Sequence, residues 1–160
     1  MSSNTPLDAF FATYPSFAYD PSASATAEFA RTCAQFRWGE KRRKKAHRAF
    51  STAMVAQFAA TFGTDVGSLR SWQALCEAID IEEVPDTLTK CKKAVKRSHV
   101  NIVDLLDAAM HGERTRGFPS ERALSKYTLG TPNKIFPLDR AKAGGLLRYL
   151  LRQIIRPSGR

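Results

Sequence analysis

Nowhere in the chain do 18 consecutive apolar residues occur, which removes the signal for a membrane-spanning helix. The opening residues also lack a cationic stretch followed by an apolar one, so secretion is not expected. Cysteine is scarce. Cys33, Cys76 and Cys91 are three in number, widely spaced and set among apolar residues, which argues against a disulfide framework and for reduced core thiols in the cytosol or nucleus. Histidine is as scarce, and none of His47, His99 and His111 lies three to five residues from a cysteine or another histidine. No metal and no cofactor is therefore expected.

Catalytic signatures are missing too: there is no GxxxxGK[ST] loop, no GxGxxG after a strand, no GxSxG and no HExxH. Asp104 and Asp107 share a predicted helix but point to its outer side near Asn101, which suits solvent or an arginine partner better than acid–base work. His99 falls on the apolar face of that helix and reads as a core histidine with one buried hydrogen bond. The expected protein is not an enzyme, and no small-molecule substrate is indicated.

Acid is the other shortage. Lys and Arg number 25 against 15 Asp and Glu, a net charge of +10. Such an excess favours nucleic acid or an acidic protein as partner. Apolar residues make up 43% of 160, enough for one domain that buries its own core without disulfides.

What is present is helical patterning without internal repeats or strand-like alternation. Residues 1–25 read as an extended arm, in which Pro15 and Pro21 interrupt any helix and Phe10, Phe11, Tyr14, Phe17 and Tyr19 crowd together. That arm either wraps over the core or inserts into a partner. Residues 26–157 read as an all-α bundle of five to six helices, and 158–160 as a tail. Predicted helices run from about Ser24 to a Gly39 cap, from Glu40 or Lys41 to Phe62 with Gly63 as the stop, and from a Thr64 or Asp65 cap to Ile79. After an acidic loop from Glu77 to Asp86, one long helix is expected from Thr87 to Ala109, capped by Asp86. A basic loop around Gly112 and Gly117 leads to a short helix capped by Ser120; Lys134–Pro137 reads as extended. The last helix is placed from Leu138 or Asp139 to Pro157, where Gly144-Gly145 costs about 1 kcal/mol per glycine. The missing side chains imply close packing or backbone approach to a phosphate.

The cations fall in three stripes. Lys41, Arg42, Lys44, Lys45 and Arg48 occupy the first turns of a helix, where the macrodipole disfavours them. Lys90, Lys93 and Arg97 line the outer face of the next basic helix, flanked by Lys92 and Lys96, with no acid between them. Arg148, Arg152 and Arg156 form an i, i+4, i+8 ladder. If they converge, the ten residues Lys41, Arg42, Lys44, Lys45, Arg48, Lys90, Lys93, Arg97, Arg148 and Arg152 make a phosphate-binding surface. No helix-turn-helix spacing or aromatic RNA platform accompanies them, so binding would be directed at the backbone of DNA or RNA. The alternative is an adaptor that meets an acidic protein through its basic face and uses the aromatic arm as an anchor. Lys41–Lys45 also matches the composition of a nuclear import signal, placing the expectation inside the cell and in the nucleus ahead of the cytoplasm.

The blocks FFATYPSFAYDP, GTDVGSLRSWQALCEAI, PDTLTKCKKAVKRSHVNIVDLLDA and FPLDRAKAGGLLRYLLRQI resemble those of a family of small, functionally uncharacterised fungal proteins, which carry them in the same order. The resemblance covers most of the chain. It implies a fungal intracellular protein and carries no activity or catalytic residue.

Overall fold

The computed structural model describes residues 4–137 and 144–155, the last five as backbone alone. Among these residues the architecture is all-α, with eight helices and a single isolated bridge between His99 and Phe118. Eight helices stand where periodicity predicts five or six, and two local signals explain the difference.

The first is at the N-terminus, where the expected extended arm contains α1, Pro6–Ala12. Thr5 and Asp8 form a capping box: the Thr5 hydroxyl accepts from the Asp8 amide at 3.1 Å and the Asp8 carboxylate accepts from the Thr5 amide at 3.1 Å. Pro6 occupies the first helical position, where its missing N–H costs nothing. Leu7, Phe10 and Phe11 are buried, and α1 lies along the long helix α3, Glu40–Phe62. The Leu7 amide donates to the buried Gln57 side chain on α3 at 3.4 Å. The arm is thus part of the core.

The second is a break in the expected helix from Thr87 to Ala109. Two helices stand there, α5, Leu88–Arg97, and α6, Ile102–Met110. Asn101 starts the second by accepting from the Asp104 amide at 3.0 Å. Its amide nitrogen meanwhile donates to Thr128 Oγ1 at 3.1 Å and to the Lys134 carbonyl at 2.9 Å. The His99 carbonyl accepts from the Phe118 amide at 2.6 Å. With this start α6 buries Ile102, Val103, Leu105 and Leu106. Of the His99 ring, expected to make one buried hydrogen bond, Nδ1 is buried without a partner among the described residues.

Other elements sit close to their expected places. Helix α2, Ala25–Phe36, ends on Arg37 in a left-handed conformation, φ 51°, and Gly39 serves as the N-cap of α3 rather than the C-cap of α2. Helix α3 keeps its predicted bounds, with Gly63 at φ 86° as the stop. Helix α4, Leu69–Ala78, is capped by Ser68, not by Thr64 or Asp65; Asp65 instead closes a turn onto the Gly67 amide at 2.8 Å. Thr87, not Asp86, caps α5, while Ser120 caps α7, Glu121–Gly130, as predicted. Cys33, Cys76 and Cys91 are free and buried, and burial pushes the Cys76 thiol up to about 12.

Helix α8 is described over Gly145–Ile155; the expected start at Leu138 or Asp139, the 158–160 tail and Arg156 lie outside the described residues. Gly145 has φ 59°, and a Cβ there would collide with the Thr64 carbonyl just past α3. Gly144 meets nothing within 4 Å. Close packing is therefore the reason for one glycine of the pair. Gly145→Ala is expected to destabilise by about 1–3 kcal/mol, because the obstacle is backbone, while Gly144→Ala stays within about 0.5 kcal/mol. Thermal denaturation of the two variants checks this, and equal effects would argue against the packing account.

Candidate polyanion-binding surface and adjoining cleft

The N-terminal half of α3 projects from the molecule because one narrow stripe of it, Ala46 and Phe50, finds a partner surface. Lys41, Arg42, Arg43, Lys44, Lys45, His47 and Arg48 are all exposed. Arg42 lies 5.6 Å from the centre of the Trp38 ring, which stacks on Phe36 at 5.5 Å. The Glu40–Lys44 pair at 3.2 Å, with both side chains more than two-thirds exposed, contributes little. Among the described residues no carboxylate pairs with Lys41, Arg42, Lys45 or Arg48. Since Lys41–Lys45 is helical, an import receptor that reads an extended strand would first have to unwind it.

On α5, Lys90, Lys93 and Arg97 are exposed as predicted. Lys92 is half-buried, with its ammonium 5.7 Å from the Trp72 ring centre. Arg148 on α8 is exposed, whereas Arg152 is described only as backbone. Tyr149 links the two helices: its hydroxyl donates to the Lys92 carbonyl at 3.2 Å and its ring meets Trp72 edge-on at 5.1 Å. Gly145 begins α8 against Thr64, so α5 and α8 meet at the C-terminal end of α3. The stretch of α3 from Lys44 to Phe62 rises about 27 Å. The described cations thus form two regions, Lys90, Lys93 and Arg97 of α5 with Arg148 of α8 at one end of α3 and Lys41–Arg48 at the other.

Beside the basic half of α3 lies a cleft of about 490 Å³ that no local pattern in the sequence announces. Thr26, Phe29 and Ala30 of α2 form one wall, His47 and Phe50 of α3 another, and residues from Leu129 to Pro137 the third. This last segment is pinned from beneath. Thr26 Oγ1 donates to the Asn133 carbonyl at 2.7 Å, Asn101 holds the Lys134 carbonyl, and Phe136 is buried. Asn133 adopts φ 61° to make the turn. Lys134 Nζ reaches Asp104 at 2.5 Å, and the Tyr127 hydroxyl donates to the same carboxylate at 2.7 Å. Burial opposes the Lys134 charge, but the hydrogen bond and charge of Asp104 outweigh it and hold the ammonium above its ordinary value.

The acidic pair expected to face solvent or an arginine is engaged instead. Asp104 takes Lys134 and Tyr127. Asp107 accepts from the Ala25 amide at the start of α2 at 3.3 Å, and burial holds its carboxyl above the ordinary range. On α2, burial raises the Cys33 thiol while Arg43 of α3 pulls the other way.

No helix among the described residues is long and apolar enough to cross a membrane, and no three His, Cys, Asp or Glu side chains among them are grouped as a metal ion requires. Compared with protein-family models, with curated proteins and with solved structures, the chain finds no match.

Proposed function

We propose that this protein is a non-enzymatic helical domain that binds the phosphate backbone of nucleic acid, engaging it first through Lys41, Arg42, Lys44, Lys45 and Arg48. The observation that supports this reading is the exposed basic half of α3, where cations stand at the unfavourable end of the helix dipole with one weakly paired acid among them. Folding gives no reason for that arrangement, and phosphate binding does. Lys90, Lys93 and Arg97, with Arg148, supply a second contact region at the far end of α3. A duplex reaching both must span about eight base pairs at 3.4 Å per step.

Affinity for duplex DNA and RNA, measured against salt, tests the reading. Each phosphate contact contributes about −0.9 to the slope of log affinity against log salt for B-DNA. Replacing Lys41, Arg42, Lys45 and Arg48 by Gln is expected to flatten the slope by about 3–4 without unfolding the chain, since all four side chains are exposed. An unchanged slope, or no binding near physiological salt, would refute it. As for the adaptor alternative, the aromatic anchor it relies on is occupied elsewhere: Phe10, Phe11 and Phe17 are buried.

A further inference from the structure

The cleft between α2, α3 and the 129–137 segment has no part in phosphate binding, yet it is a built feature. Leu129 and Ile135, 74% and 61% exposed, stand at its mouth. Large apolar side chains scattered singly on a surface need no explanation. Here two flank one opening, on a segment that Thr26 and Asn101 hold in place. The volume of about 490 Å³ falls within the range of ligand sites.

The lining itself carries no formal charge, but the exposed side chains beside it on α3 are mostly cationic. No Asp or Glu lines the cleft. His47 stands in its wall, and Arg43, exposed, lies one helical turn before it on the same face of α3. Among the nearby acids, Glu40 is already paired with Lys44, and Asp104 and Asp107 are held behind the segment by Lys134 and the start of α2.

We propose that this cleft docks an acidic segment of a partner protein, with aliphatic side chains settling against Leu129 and Ile135, and carboxylates meeting His47 and Arg43. Three observations select that occupant. The Phe29 and Phe50 rings are buried and stacked on each other at 4.6 Å, which leaves an aliphatic mouth and no open ring face for a nucleobase. The exposed mouth leaves one side of any occupant in water, which suits an extended chain better than a small molecule needing most of its surface covered. A net charge of +10 on each chain opposes a second copy as the occupant. The proposal does not rest on the nucleic-acid reading, because Lys41, Arg42, Lys45 and Arg48 lie outside the cleft lining.

The test uses the full chain, isotopically labelled for NMR, and three synthetic decapeptides in which Leu and Ile are spaced by Glu, by Lys or by Gln. The Glu peptide is expected to bind saturably, at least about tenfold tighter than the other two, and to move the amide signals of His47 and of residues 129–135. Leu129→Asp is expected to weaken it by about tenfold or more, and Ile135→Ser by about threefold. Both variants should melt like the wild type, because both side chains are exposed. The Gln variant of Lys41, Arg42, Lys45 and Arg48 should keep peptide binding while the salt slope of its DNA binding flattens, which separates the two readings. Three results would each overturn the proposal: no saturation of the Glu peptide at about millimolar concentration, binding indifferent to both cleft substitutions, or signal changes elsewhere. Displacement of the peptide by single-stranded DNA, or self-association abolished by Leu129→Asp, would do the same.

Discussion

Phe11→Ala is expected to lower the unfolding free energy by about 3–5 kcal/mol, a large share of the roughly 5–15 kcal/mol that holds a domain together. Phe11 is 2% exposed, although it belongs to a segment whose prolines suggest a loose arm. Its ring stacks on Tyr19 at 4.1 Å and meets Phe10, Phe17 and Phe50 at 4.9, 5.9 and 6.1 Å. Truncation would open a cavity walled by α1, α3 and the 17–19 turn, and aromatic neighbours on three elements collapse poorly into such a space. The surroundings carry a second sign of burial: the Tyr19 hydroxyl is pushed up to about 12, first by burial and then by Asp8, Glu28 and other acids. Urea denaturation followed by circular dichroism measures the change. A loss below about 1 kcal/mol, typical of a surface site, would return the arm to the partner-binding alternative.

Much of the helical skeleton was legible from spacing and caps. The bounds of α3 follow from its Phe50, Met54, Phe58 and Phe62 stripe and the Gly63 stop, and Ser120 announces α7. The two additional helices share one cause, the weight given to apolar period over capping chemistry. Thr5-Pro6-Leu7-Asp8 is a capping box with a proline at the first helical position, yet Pro15 and Pro21 further along dominate the reading of the arm. Asn101 with Asp104 three residues later carries the same kind of signal inside what looks like one amphipathic helix. The Leu88, Cys91, Val95, Ile102, Leu106 stripe continues across the break because α5 and α6 both face the core, so the period alone does not reveal the change of direction.

The candidate sites divide along the same line. Charge stripes are local to one helix, so the exposure of Lys41–Arg48 and of Lys90, Lys93 and Arg97 could be read from the helical wheel. Which stripes meet depends on Tyr149 and Gly145, contacts between residues 57 and 81 positions apart in the chain, from Lys92 and Thr64 respectively. The cleft is more distant still from local signals, since its walls come from α2, α3 and the segment after α7. Its one sequence clue is Leu129 and Ile135 set among Gly, Thr, Pro and Asn, apolar residues where a solvated loop has no need of them.

Asn101→Ala carries the second large effect, because this one side chain performs three tasks. It is 1% exposed, caps α6 through Oδ1, and donates through Nδ2 to Thr128 and to the Lys134 carbonyl. Losing the cap costs about 1 kcal/mol. Leaving the hydroxyl and carbonyl without their donor costs about 1–3 kcal/mol each, because no water is close at hand in a buried site. The expected total is about 3–5 kcal/mol in urea denaturation, short of the full sum because the segment can relax outward. That relaxation gives the variant its diagnostic value. The Lys134 carbonyl is the tie that holds the outer wall of the cleft from beneath, so in the folded fraction the peptide affinity of the cleft should fall while phosphate binding by α3 persists. Asn101→Asp separates the tasks: it keeps the cap acceptor but loses both donations, and is expected to retain α6 yet weaken the cleft. If both variants bind the Glu peptide as the wild type does, Asn101 holds the helices and not the site.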